Sequence, residues 1–137
     1  MSAERDLRVF LRVTGTISML AIIAVFMPRS MMDAANRALG LGAIPAPPVF
    51  EYLARSESAL YAMMGAMLWV LSFDIRRHRP VIVAYAGFYV FFGLTIFGID
   101  WRIGLPTWWI AIEGPTVVIL GMATLVLLRR VESAGTP

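Results

Sequence analysis

The chain contains no cysteine, a single histidine, and charged side chains at only 15% of its 137 positions. Its basic residues are all arginine, so lysine is missing as well. Each shortage closes off chemistry. Without cysteine there is no disulfide, thiolate metal site, iron–sulfur cluster or cysteine nucleophile, and the redox compartment is left open. Without lysine there is neither a Schiff base nor an ammonium-derived general base. His78 alone cannot supply the paired axial ligands of a b-type haem. A carboxylate-only metal cluster would suit hard ions alone, and none is expected. No glycine-rich phosphate loop is present, because Gly40 and Gly42 follow a short helical stretch and lead into prolines.

What fills the chain is apolar: 59% hydrophobic residues and a mean hydropathy of +0.75 belong to a protein whose solvent is lipid. The pI near 10.0 is therefore not a sign of nucleic-acid binding. The arginines lie beside apolar runs, where they meet lipid headgroups.

A helix crossing ~30 Å of hydrocarbon needs about 20 apolar residues. Four segments qualify, over about 7–27, 57–75, 80–99 and 108–128. The first is preceded by Arg5 and includes Arg8 and Arg12 near its start, whose long stems suit snorkelling to the surface. It lacks an Ala-x-Ala cleavage pattern after Phe26-Met27-Pro28, so it reads as a retained signal anchor. The expected fold is an all-α polytopic membrane four-helix bundle, a single transmembrane domain over 1–137.

Arginine asymmetry orients it. With four crossings, Arg5, Arg8, Arg12, Arg76, Arg77, Arg79, Arg129 and Arg130 share one side, against Arg29, Arg37, Arg55 and Arg102 on the other. The positive-inside rule places both termini in the cytoplasm. His78 then lies a membrane thickness from Glu57, Asp100 and Glu113, which excludes a Ser-His-Asp arrangement.

The extracytoplasmic loop, 28–56, is long for a simple connection. Ser30 with Asp33 resembles a capping box, and Gly40 is a natural stop, predicting a short interfacial helix over Met31–Leu39. Pro48 suits the first position of the next helix, where Glu51 precedes Arg55 by four, the favourable order for an ion pair.

At the outer mouth of such a bundle, six polar residues share one membrane face: Arg55, Glu57, Tyr61, Asp100, Arg102 and Glu113. They are the candidate ligand site. Glu113 is the most conspicuous, set in Trp-Trp-Ile-Ala-Ile-Glu-Gly-Pro. It reads either as an ion-pair member, with Arg55 or Arg102 as partner, as the cap of a helix beginning at Pro115, or as a proton or ligand site. Small residues at Ser58, Ala62 and Ala66, flanked by Gly65, predict close helix approach along the second span. Met63, Met64 and Met67, with the aromatics of the third span, read as packing and lipid contact.

A span ending in proline, a loop with Gly-Leu-Gly and prolines, a second span opening on Glu57, an arginine-rich turn and two further spans resemble the DoxX-like group of small bacterial membrane proteins. That resemblance implies a membrane subunit accompanying a quinone-linked oxidoreductase. The expected role is a non-catalytic accessory or scaffold subunit of a larger membrane complex, without catalytic residues, metal or cofactor. Its expected partners are membrane lipids and other membrane subunits or copies of itself. The alternative is a small membrane enzyme or carrier that binds a quinone, lipid or proton at the polar cluster.

Overall fold

The computed structural model describes residues 3–134, and among them every regular element is helical. The helices are α1 (Ala3–Met19), α2 (Ile22–Phe26), α3 (Arg29–Ala38), α4 (Pro48–Phe73), α5 (Arg79–Ile103) and α6 (Thr107–Ser133). Three stretches are long and apolar enough to cross a membrane: Ala3–Phe26, Arg79–Ile103 and Thr107–Ser133. The chain is a helical membrane protein. Helix α4 is as long but more polar, because Glu51, Arg55 and Glu57 occupy its first turns.

Local chemistry explains most boundaries. Pro48 opens α4, where its missing N–H costs nothing. Gly40 ends α3 at φ 74°, with the Leu41 N–H reaching the Asn36 carbonyl (3.0 Å) and the Gly40 N–H reaching that of Arg37 (3.0 Å). That paired pattern is a Schellman motif. Gly104 closes α5 in the same left-handed region, φ 72°.

Three local expectations need correcting. Helix α3 starts at Arg29 with Pro28 before it, so Ser30 is inside the first turn and caps nothing. Asp33 turns away from a capping box: its carboxylate accepts the Ile44 N–H (2.8 Å) and bonds Arg37 Nε (3.0 Å), tying the following loop back onto α3. Helix α6 runs unbroken through Pro115 from Thr107. Proline has no N–H for the Ala111 carbonyl, but that loss did not end the helix.

The chain divides into two compact units, Met1–Thr14 with Leu68–Pro137, and Gly15–Met67. In the first unit α5 and α6 form an antiparallel hairpin packed backbone to backbone. A Cβ on Gly93 would lie 2.7 Å from the Gly114 carbonyl oxygen, one on Gly114 2.7 Å from that of Gly93, and one on Gly121 2.7 Å from that of Ala86. No real Cβ sits that close. Lipid gives two apolar helices little hydrophobic reason to associate, so close approach at small residues supplies dispersion contacts instead. Leu7, Leu11, Ile75, Ile82 and Leu128 are among this unit's buried apolar residues.

In the second unit the tight contact is between α1 and α4. A Cβ on Gly65 would meet the Gly15 carbonyl oxygen at 2.5 Å and the Met19 nitrogen at 2.8 Å. Ala62 is buried beside it, whereas Ala66 is exposed. The close approach expected at these small residues occurs at Gly65 and Ala62, and Ala66 drops out of it for a geometric reason. Steps of four advance about 40° beyond a full turn, so the third member rotates off the contact that Gly65 occupies.

Candidate functional site

Of the six residues singled out at the outer mouth, Arg55, Glu57 and Tyr61 belong to the second unit and Asp100, Arg102 and Glu113 to the first. In the second unit, Arg55 is the centre of a network. Its Nη2 bonds Glu51 Oε1 at 2.7 Å, one helical turn earlier, as the i,i+4 spacing predicts. The same guanidinium donates to the Met27 carbonyl (2.9 Å) and to that of Val25, so Arg55 satisfies acceptors at the C-terminal end of α2. Arg29 joins from the other side, with Nη2 on the Pro45 carbonyl (2.7 Å) and Nη1 on Glu51 Oε2 (3.4 Å). Sequence reasoning missed Arg29, and nothing local marks a partner 22 residues away. The hydrogen bond from Arg55, with Arg29 adding to it, holds the Glu51 carboxyl below its ordinary range. Asp33 is lowered too, first by the Ile44 N–H and then by Arg37. Glu57 is exposed, and Tyr61 is half-buried next to Ala62.

In the first unit, Glu113 is half-buried six residues into α6 and accepts a hydrogen bond from the indole N–H of Trp109, one turn before it. The cap reading is excluded because α6 begins at Thr107 and Pro106 precedes it. Arg55, in the second unit, is engaged with Glu51. Arg102 stands exposed in the last turn of α5. Trp109 and Glu113 form the polar part of an open groove of about 300 Å³ whose other walls are Trp108, Ile112, Thr116 and Val117. Sequence reasoning did not pair Trp109 with Glu113: the i,i+4 spacing allows the contact, and the rotamers decide it.

Asp100 is the contrasting carboxylate. It is 5% exposed in the last turn of α5, and its Oδ2 has no hydrogen-bond partner among the described residues. Its backbone carbonyl receives the N–H groups of Gly104 (3.1 Å) and Leu105 (3.2 Å).

At the opposite end of the first unit, Arg12 departs from the snorkelling expected of it. Its Nε donates to Ser72 Oγ (3.1 Å) and its guanidinium stacks 4.9 Å from the Trp69 ring centre and 5.5 Å from that of Phe73. Positions 69, 72 and 73 are one face of α4, so the arginine is clamped against that face by cation–π contact. Nearby, Glu4 bonds both Arg8 (3.0 Å) and Arg76 (3.4 Å), and Arg79 pairs with Glu132.

One small pocket in the first unit, between Phe10, Leu11, Leu68, Tyr85, Tyr89 and Thr124 among others, is about 10 Å³. That is room for one water at most. Met63, Met67, Phe88 and Phe91 face outward. Among the described residues no cluster of three or more His, Asp or Glu side chains is arranged to hold a metal ion. Comparison with protein-family models, curated proteins and solved structures finds no match to this chain.

Proposed function

We propose that this chain is a four-pass protein of a bacterial inner membrane, with both termini cytoplasmic, and that it serves as a non-catalytic accessory or scaffold subunit of a larger membrane assembly, as the DoxX-like layout implies. Support for α4 as the fourth crossing comes from its neighbour: in each unit it lies antiparallel beside α1, through Ser72 and Arg12 in the first and Gly65 and Gly15 in the second. From Ser58 to Phe73 it carries no charge. The arginine distribution supports the orientation.

The observation that carries the subunit reading is where the space lies. The groove holding Glu113 and Trp109 is about 300 Å³ and opens outward, lined by side chains of α6 alone. An outward polar pair set in an apolar groove suits the face of a neighbouring transmembrane helix, which would pack on Trp108, Ile112 and Val117 around it. Extraction in mild detergent should yield an assembly larger than any homo-oligomer. A photo-crosslinker at Ile112 should join one defined membrane polypeptide, while one at Phe91 should not. A monodisperse homo-oligomer with no crosslinked partner would contradict the reading.

The same groove supports a second reading, in which Glu113 receives a proton or a hydrogen-bonding lipophilic ligand. Here Glu113→Gln is decisive. The ligand reading expects unchanged folding and weakened binding, by about tenfold for one lost charge-assisted hydrogen bond. Loss of the folded protein would assign Glu113 a structural role.

A further inference from the structure

We propose that a groove between the first turns of α1 and the last turns of α6 holds a zwitterionic aminophospholipid, phosphatidylethanolamine in chemical class. The groove measures about 510 Å³ and is lined by Arg5, Asp6, Val9, Phe10, Val13 and Leu127, all within the first unit. Its polar and apolar parts are sorted along α1. Arg5 and Asp6 stand at the mouth, and Val9, Phe10 and Val13 continue one face for about 10 Å along the helix. Leu127 fixes the level on the other wall, just before the exposed Arg129 and Arg130. This is the order of headgroup, glycerol and upper acyl chain across a membrane boundary.

The two charges choose the lipid. Arg5 and Asp6 are consecutive, so they point about 100° apart on the helix and cannot pair with each other. Their neighbours are occupied: Glu4 bonds Arg8 and Arg76, and Arg79 bonds Glu132. Neither Arg5 nor Asp6 takes part in an ion pair among the described residues. A cation and an anion with no ion-pair partner among the described residues therefore flank one opening. A phosphate satisfies Arg5 by a charge-assisted, two-pronged hydrogen bond, and a primary ammonium satisfies Asp6 through its N–H donors. An anionic lipid without an amine would leave Asp6 beside a phosphate of like charge. A choline headgroup has the positive charge but no N–H to donate.

The test uses the full chain in detergent, titrated with phosphatidylethanolamine, phosphatidylcholine and phosphatidylglycerol of matched acyl chains, with bound lipid counted by native mass spectrometry. The ethanolamine lipid should be retained about five-fold better than either of the others, the effect of one interfacial charge contact. Asp6→Asn should reduce it to the choline lipid's level, and Asp6→Glu should restore the preference. Arg5→Gln should weaken all three alike, and Leu127→Trp should fill the groove and abolish retention, each at unchanged helix content by circular dichroism. The proposal is overturned if phosphatidylglycerol binds as well as phosphatidylethanolamine, or if Asp6→Asn leaves the preference intact. It is independent of the subunit reading, since a chain with no protein partner would still select its lipid.

Discussion

The α5–α6 hairpin and the α2–α3 segment with its loop are held together by opposite means. Along the hairpin, three glycines bring backbones into contact and hardly any polar side chain takes part. Around α2 and α3, the fastening is polar: Arg55 on two carbonyls and Glu51, Arg29 on Pro45 and Glu51, Asp33 on Ile44 and Arg37. The difference follows from solvent. In lipid an unsatisfied polar group is costly and hydrophobic attraction between helices is weak, so shape complementarity does the holding. Near water, hydrogen bonds and ion pairs are tolerated and fix irregular backbone, at modest net strength and with sensitivity to salt and acid.

The hairpin side of this contrast breaks with the largest effect. Gly93→Ala or Gly114→Ala places a methyl group against backbone that cannot yield as a flexible side chain would. We expect a loss of about 1–3 kcal/mol from overpacking, and more for Gly93→Leu, read as a shift in a detergent-unfolding midpoint. Gly87 and Gly98 meet nothing within 4 Å, so alanine there sharpens the comparison. Those variants should be neutral or gain up to about 1 kcal/mol from helix propensity. If all four glycines respond alike, backbone contact is not what holds the hairpin.

A smaller effect awaits Arg55→Met. It strands the Val25 and Met27 carbonyls and removes the Glu51 partner, at a cost of about 1–3 kcal/mol per unsatisfied buried group. The loss should be local: faster hydrogen exchange in α2 and α3, with α5 and α6 protected as before. Equal loss in both regions would mean that the polar and apolar fastenings form one cooperative whole.

Acid gives the smallest and most selective perturbation. Asp33 and Glu51 have folded-state pKa values held below their ordinary 3.8 and 4.5. Such groups stabilise the fold above the ordinary value, and that contribution fades as pH falls through the lowered one. Between neutral pH and 4.5 the loop should be unchanged. Below 3.8, exchange of the Ile44 amide should accelerate as Asp33 takes up a proton, while the hairpin amides stay constant. Loosening of the loop already at pH 6 would point to a different titrating group.

Much of the architecture was legible because it is encoded locally. Pro48 as a helix start, Gly40 as a stop, the Glu51–Arg55 spacing and the apolar runs each need only a few neighbouring residues to take effect. The errors share a cause as well. Ser30 has the chemistry of a cap, but Pro28 sets the helix start and Asp33 is drawn to Ile44, eleven residues on. Pro115 has the chemistry of a helix start, but a helix already running from Thr107 carries through it. Arg12 was free to reach water, but Trp69 and Phe73 offered aromatic faces. The candidate site was legible as a set of polar residues on apolar helices, not as pairings. Arg29 with Pro45, and Trp109 with Glu113, depend on loop path and rotamer that no spacing rule specifies.

The turn between α5 and α6 is three residues, Gly104-Leu105-Pro106, and it has a consequence for biogenesis. So short a link leaves neither helix able to wait outside while the other partitions, so the two must leave the insertion machinery as one loaded hairpin. Asp100, four residues before that link, would then enter hydrocarbon with both helices already present, and the cost of its buried carboxyl would fall on the pair rather than on α5 alone.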